Sequence, residues 1–196
     1  MIVFLTSIAL KVGTMALRKH FHRAVGLLSW TACSFAFAGS GWSGASDLLA
    51  VGLPAMAAGM TWTHNDSEGT KQLSYSLGGA YVATTVLKKS IHSTRPDGSD
   101  NESFPSGHTA VAFAAVRFVD KRYGAEMATY TPWLYAAAGL TGVARVQANK
   151  HHWQDVVAGA ALGFGTAHYL TEPVQGGQLS LRPTPGGVAV AWQRAW

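Results

Sequence analysis

The sequence predicts an all-α fold, a helical bundle of about five core helices. Three observations carry that prediction. Five apolar-rich stretches, each longer than a typical strand, are separated by polar breaks marked with Gly or Pro. Ala, Leu, Gly and Met dominate these stretches, and β-branched runs are short. The 196 residues are 48% hydrophobic and 13% charged, enough apolar material for one core and too much for a disordered chain. A single cysteine excludes a disulfide framework and a four-cysteine zinc site.

Residues 1–38 come first and read as a signal peptide. Arg18-Lys19-His20-Phe21-His22-Arg23 is a basic cluster, Ala24 to Phe37 is an apolar run of secretory length, and Ala36-Phe37-Ala38 is a small-x-small cleavage pattern. Met15 offers an alternative start. Cleavage after Ala38 predicts an exported, periplasmic protein; the competing reading is an uncleaved anchor in the inner membrane. The same segment holds four of the 15 basic residues and none of the 10 acidic ones, so the formal charge of +5 falls to +1 beyond it. That distribution argues against a nucleic-acid partner.

The helices are expected at Asp47–Trp62, Gln72–Lys89, Ser106–Arg122, Pro132–Ala148 and Trp153–Leu170. Asp47 and Ser106 suit N-caps, and Pro132 suits a first helical turn. Residues 39–175 then form one helical domain. The extension 176–196 alternates at Gln178–Arg182 and Val188–Trp192 around a Pro- and Gly-rich turn, which predicts a β-hairpin capping the bundle. The uncharged stretches Leu48–Thr63 and Val156–Thr171 are 16 residues each, short of the ~20 that a span needs. A soluble or peripherally membrane-bound bundle is therefore expected, with short tilted spans as the alternative.

Three motifs between Lys88 and Asp155 carry the chemistry. Lys88 closes a helix and Arg95 lies in the loop after it, so two permanent cations converge where the chain turns. Phe104-Pro105-Ser106-Gly107-His108 opens a helix. Its first N–H groups lack intrahelical partners and favour an anion, Gly107 allows close approach, and His108 can protonate a leaving oxygen. Ala144-Arg145 adds a third cation, followed by His151, His152 and Asp155. Asp155 stands four residues after His151 and three after His152, so local geometry allows it to orient either imidazole as a nucleophile.

Together, Lys88-x6-Arg95-Pro96, Pro105-Ser106-Gly107-His108 and Arg145-x5-His151-x3-Asp155 resemble the three-part signature of the type 2 phosphatidic acid phosphatase/vanadium haloperoxidase superfamily. Order and spacing match throughout; the one departure is Ala144, where the family usually carries Ser. The resemblance implies a metal-free phosphatase without cofactor, acting on phosphomonoesters, lipid phosphates or pyrophosphates. It selects His151 as the nucleophile that forms a phosphohistidine and His108 as the acid. Lys88, Arg95, Arg145 and the N–H groups of Ser106 and Gly107 would hold the phosphate oxygens. The alternatives are a vanadate-dependent haloperoxidase of the same fold and a non-catalytic helical membrane protein.

Other polar residues are expected to do less. His64, Asp66 and Glu68 read as a solvated connection rather than a metal loop, and His92 and His168 as surface or packing residues. Trp42, Trp62, Trp133 and Trp153, near helix ends, suit either a membrane interface or, more commonly, packing within the bundle. Asp97–Glu102 is an acidic loop placed to gate the site.

Overall fold

A computed structural model describes residues 41–174 and the backbone of 178–184 and 187–193; the proposed signal segment 1–38 lies outside the described residues. Five α-helices follow one another: α1 (Gly41–Thr63), α2 (Ser67–Ser90), α3 (Gly107–Met127), α4 (Thr131–Gln147) and α5 (Trp153–Leu170). The tail carries β1 (Gln178–Thr184) and β2 (Gly187–Gln193), paired antiparallel with Gln178 opposite Gln193. Among the described residues, no helix is long and apolar enough to cross a membrane.

α3 is the axis of the bundle and packs against the other four helices. Its buried residues include a run of alanines: Ala110, Ala112, Ala114 and Ala115 are fully buried, beside Val116, Phe118 and Val119. Small side chains around the whole helix let its neighbours approach from every direction, as a helix buried all round requires. α5 comes nearest. A Cβ on Gly163 would lie 1.9 Å from the Ala110 carbonyl oxygen, and one on Gly159 would lie 2.4 Å from that of Ser106. The two helices therefore meet backbone to backbone. Gly163→Ala is expected to destabilise the fold by about 1–3 kcal/mol through overpacking. Gly165→Ala, which meets open space on the same helix, should leave the melting temperature unchanged or raised, because alanine favours helix.

Two boundaries differ from the sequence reading for physical reasons. Asp47 is not an N-cap: α1 starts at Gly41 and Asp47 lies inside it. α2 starts at Ser67, earlier than Gln72, because Asp66 caps it, its carboxylate accepting from the Gly69 N–H at 2.8 Å. Nor is the connection around Asp66 simply solvated. The Asp66 carboxylate also accepts from Arg122 Nη2 (2.7 Å) and Nε (2.8 Å) and from the Tyr123 hydroxyl (2.7 Å). His64 pairs with Glu126 at 2.9 Å. This cluster ties the α1–α2 connection to α3 at the end of the bundle remote from Lys88.

Candidate active site

The helix directions place three motifs at one end. α2 and α4 finish there, bringing Lys88 and Arg145 in their last turns, while α3 and α5 begin there. A cavity of about 450 Å³ opens at this end. Lys88, Arg95, Gly107, His108, Arg145 and His151 all line it. Residues as far apart in sequence as Lys88 and His151 thus face one volume. Lys89 lines it too, so four cations stand against one carboxylate, Glu102, and the helix starts add positive dipole ends, so the cavity suits an anion.

Two of the expected site residues sit behind this surface. Ser106 is fully buried, and its N–H donates to the Asp155 carbonyl at 2.9 Å. That donor is consumed by holding α3 against the start of α5, so it is not available to a phosphate oxygen. The free donors at this helix start are those of Gly107 and His108, which have no intrahelical acceptor. The Ser106 hydroxyl bonds Thr109 Oγ1 at 2.9 Å rather than capping the helix backbone.

Asp155 is buried as well, but its tie to His151 differs from the one expected. His151 lies before α5, whose first residue is Trp153, so the two residues do not share a helical turn. Asp155 sits in the first turn of α5 and reaches back: its Oδ2 accepts from the His152 N–H at 2.8 Å and the Ser103 hydroxyl at 2.5 Å. The same oxygen is 3.6 Å from His151 Nδ1, an ion-pair separation too long for a hydrogen bond. Between the two histidines the geometry discriminates: His151 is buried and lines the cavity, whereas His152 caps α5 with a half-exposed ring and is not part of the lining.

Electrostatics follow from this burial. Removal from water, reinforced by Lys88, Arg145 and Arg95, pushes the His151 imidazole down to about 4. Burial and Arg145 also push His108 below the usual histidine range, partly offset by Asp47, whose Oδ1 lies 3.0 Å from His108 Nε2. The same Asp47 oxygen is 3.5 Å from Arg145 Nη1. Burial lowers Lys88 too, with Arg95 beside it, and its Nζ donates to the Glu102 carbonyl. Burial alone would raise Asp155, but the bonds from Ser103 and His152 hold its carboxyl below the ordinary value. Arg145 is buried, and its Nε has no partner. A buried guanidinium nitrogen left unpaired is costly, which suits a site completed by an anion.

Sequence reasoning missed Asp47, Ser103 and the apolar wall of the cavity. That wall is formed by Ala50, Tyr81, Thr84 and Val111. Tyr81 and Thr84 stand seven and four residues before Lys88, and Val111 four after Gly107. The one-turn and two-turn spacing from motif residues would have found them. Asp47 and Ser103 had no comparable signal.

Residues 69–175, more than half of the chain, match the family described as the PAP2 superfamily. The chain belongs to that superfamily. Within it, the lipid A 1-phosphatase of Porphyromonas gingivalis is 39% identical over 100 residues, covering 50% of this chain and 22% of that protein. Lipid phosphate phosphatase 2 of Arabidopsis thaliana is 34% identical over 80 residues, 35% of this chain and 28% of that one. The chain therefore matches about a quarter of these relatives' lengths. Among solved structures, Aquifex aeolicus LpxE superposes with a TM-score of 0.49 at 23% identity, covering 63% of this chain and 84% of that one.

Proposed function

We propose that the protein is a metal-independent phosphatase that hydrolyses phosphomonoesters of lipids, lipid phosphates or pyrophosphates, through a phosphohistidine. One observation carries the reading: a single cavity joins four cations (Lys88, Lys89, Arg95 and Arg145) and two histidines, against one carboxylate (Glu102), to an apolar wall of Ala50, Tyr81 and Val111. The cationic end fits a phosphoryl group and the apolar wall fits a hydrocarbon-bearing leaving group. The names of the PAP2 relatives, a lipid A 1-phosphatase and a lipid phosphate phosphatase, support the same substrate class.

In this mechanism His151, neutral because of its low pKa, attacks phosphorus in line with the leaving oxygen. The P–N bond forms as the P–O bond breaks, and His108 gives its proton to the departing oxygen. Water then attacks the phosphohistidine, His108 takes a proton from it, and the P–N bond breaks to release phosphate. Lys88, Arg95, Arg145 and the N–H groups at the start of α3 bear the charge on the equatorial oxygens. Orthovanadate is expected to inhibit competitively, because it adopts the trigonal-bipyramidal geometry of the transition state. EDTA should leave phosphate release unchanged; loss of activity restored by zinc or magnesium would overturn the metal-free mechanism.

The outer surface supports work at a lipid surface. No charged residue occurs between Asp47 and Asp66, and the outward face of α1 runs Leu48, Val51, Ala55, Ala58, Trp62. Its neighbour α4 presents Trp133, Ala136, Leu140 and Val143 outward. The tryptophans expected to pack the bundle are instead exposed, Trp62 at 85% and Trp133 at 75%. Apolar outward faces on adjacent helices with exposed indoles suit a bilayer better than water. Residues 1–38 are proposed as the export signal that delivers the protein to the periplasmic side.

A further inference from the structure

Among the described residues, Arg95 is the one cation lining the cavity that no helix carries, so something other than helix geometry must hold it. Its loop is closed by main-chain bonds: Arg95 N–H to the Asp100 carbonyl (3.0 Å), Gly98 N–H to the Arg95 carbonyl (2.9 Å) and Ser93 N–H to the Asn101 carbonyl (3.1 Å). Arg95 Nε also donates to Asp100 Oδ1 at 2.6 Å. Opposite this loop lies the turn that ends α4. Asn149 adopts a φ of 55°, a left-handed conformation that Asn tolerates. The Lys150 N–H donates back to the Arg145 carbonyl at 3.0 Å. Arg145 and His151 are thus joined by one tightly wound turn.

Three contacts cross from the loop to that turn. Asp97 N–H donates to the Asn149 carbonyl at 3.1 Å, Arg95 Nη1 to the Lys150 carbonyl at 3.3 Å, and Lys150 Nζ to Asp97 Oδ2 at 2.6 Å. The other Asp97 oxygen is held by the Ser99 N–H (3.1 Å) and hydroxyl (2.7 Å), so the carboxylate is fixed independently of Lys150. Neither Asp97 nor Lys150 lines the cavity.

We propose that the Asp97–Lys150 pair is a positioning clasp: it fixes the loop bearing Arg95 against the turn joining Arg145 to His151, and so sets the spacing of the phosphate cradle. The proposal rests on the phosphatase reading above. The acidic loop, on this account, is a brace and not a gate. An exposed ion pair contributes little to stability, whereas a displacement of about 1 Å in a reacting constellation costs up to ~100-fold in rate.

The test is a double-mutant cycle with Asp97→Asn and Lys150→Met in the full chain. Each single variant should lower kcat/KM for p-nitrophenyl phosphate by about 10- to 100-fold and weaken binding of inorganic phosphate, measured by calorimetry. Melting temperature should move by less than about 4 °C, the shift that ~1 kcal/mol produces in a chain of this size. The double variant should lose no more than either single one, because both remove the same contact. Lys71→Met, which breaks the Lys71–Glu68 pair at the remote end of α2, should match the parent. Additive losses, parent-like singles, or losses that track melting would overturn the clasp. A parent protein that releases phosphate from no ester refutes the phosphatase reading alone; the phosphate-affinity cycle still decides the clasp, and unchanged affinity across it sinks the idea.

Discussion

Replacing His151 by alanine is expected to abolish nearly all phosphate release, a fall on the order of 10⁴–10⁶ by comparison with other nucleophile deletions. The size follows from the proposed mechanism: without the imidazole no covalent intermediate would form, and the cations that remain could only polarise the ester. His152→Ala should cost far less, since that ring is half-exposed, caps α5 and is not part of the cavity lining. The measurement that separates them is trapping of ³²P on the protein during turnover. An acid-labile, base-stable label should map to His151; a label on His152, or full activity in His151→Ala, would overturn the assignment.

The second large effect belongs to His108. General acid catalysis contributes about 10²–10⁴-fold, and His108→Ala should lose that much on alkyl phosphates. It should lose much less on p-nitrophenyl phosphate, whose leaving group needs little protonation. The pH profile carries the sign. In the proposed mechanism His151 works unprotonated, so the acid limb of kcat/KM should fall near its depressed value of about 4. In the same proposed mechanism His108 works protonated, so the alkaline limb should lie below the ordinary histidine value of 6.5, because burial and Arg145 lower it. Asp47 opposes that lowering, so Asp47→Asn should shift the alkaline limb further toward acid. Titration of the substrate itself is common to both proteins, so the difference between them belongs to the enzyme. An alkaline limb that does not move would remove Asp47 from the acid's environment.

How much of this was legible in the sequence depends on how locally each feature is encoded. The five helices were readable because each is an apolar-rich stretch longer than a strand, bounded by its own polar breaks. The lining residues Lys88, Arg95, Gly107, His108, Arg145 and His151 were readable because they sit in three short motifs with fixed internal spacing. Ser106 and Asp155 were found but misread. Spacing alone placed a free N–H and a helical i to i+4 pair, whereas the packing of α3 on α5 uses that N–H and turns the carboxylate back as a cap. Asp47 was read as a cap because an acid before an apolar run usually is one. Its actual neighbours, His108 and Arg145, are about 60 and 100 residues away, and only the assembled bundle brings them together.

The uncharged outer faces of α1 and α4 bear on how such an enzyme meets its substrate. If those faces rest in a bilayer, enzyme and lipid search for each other in two dimensions. The relevant concentration is then the mole fraction of phosphorylated lipid in the surface, not its molarity in the suspension. Diluting the substrate lipid with an inert one at constant bulk concentration should slow turnover, while diluting the whole suspension should change it little. A short-chain soluble ester would escape this rule and report the chemistry of the cavity alone. The exterior of Leu48, Val51 and Trp62 would thereby set which kinetic law the enzyme obeys, without touching the phosphate at all.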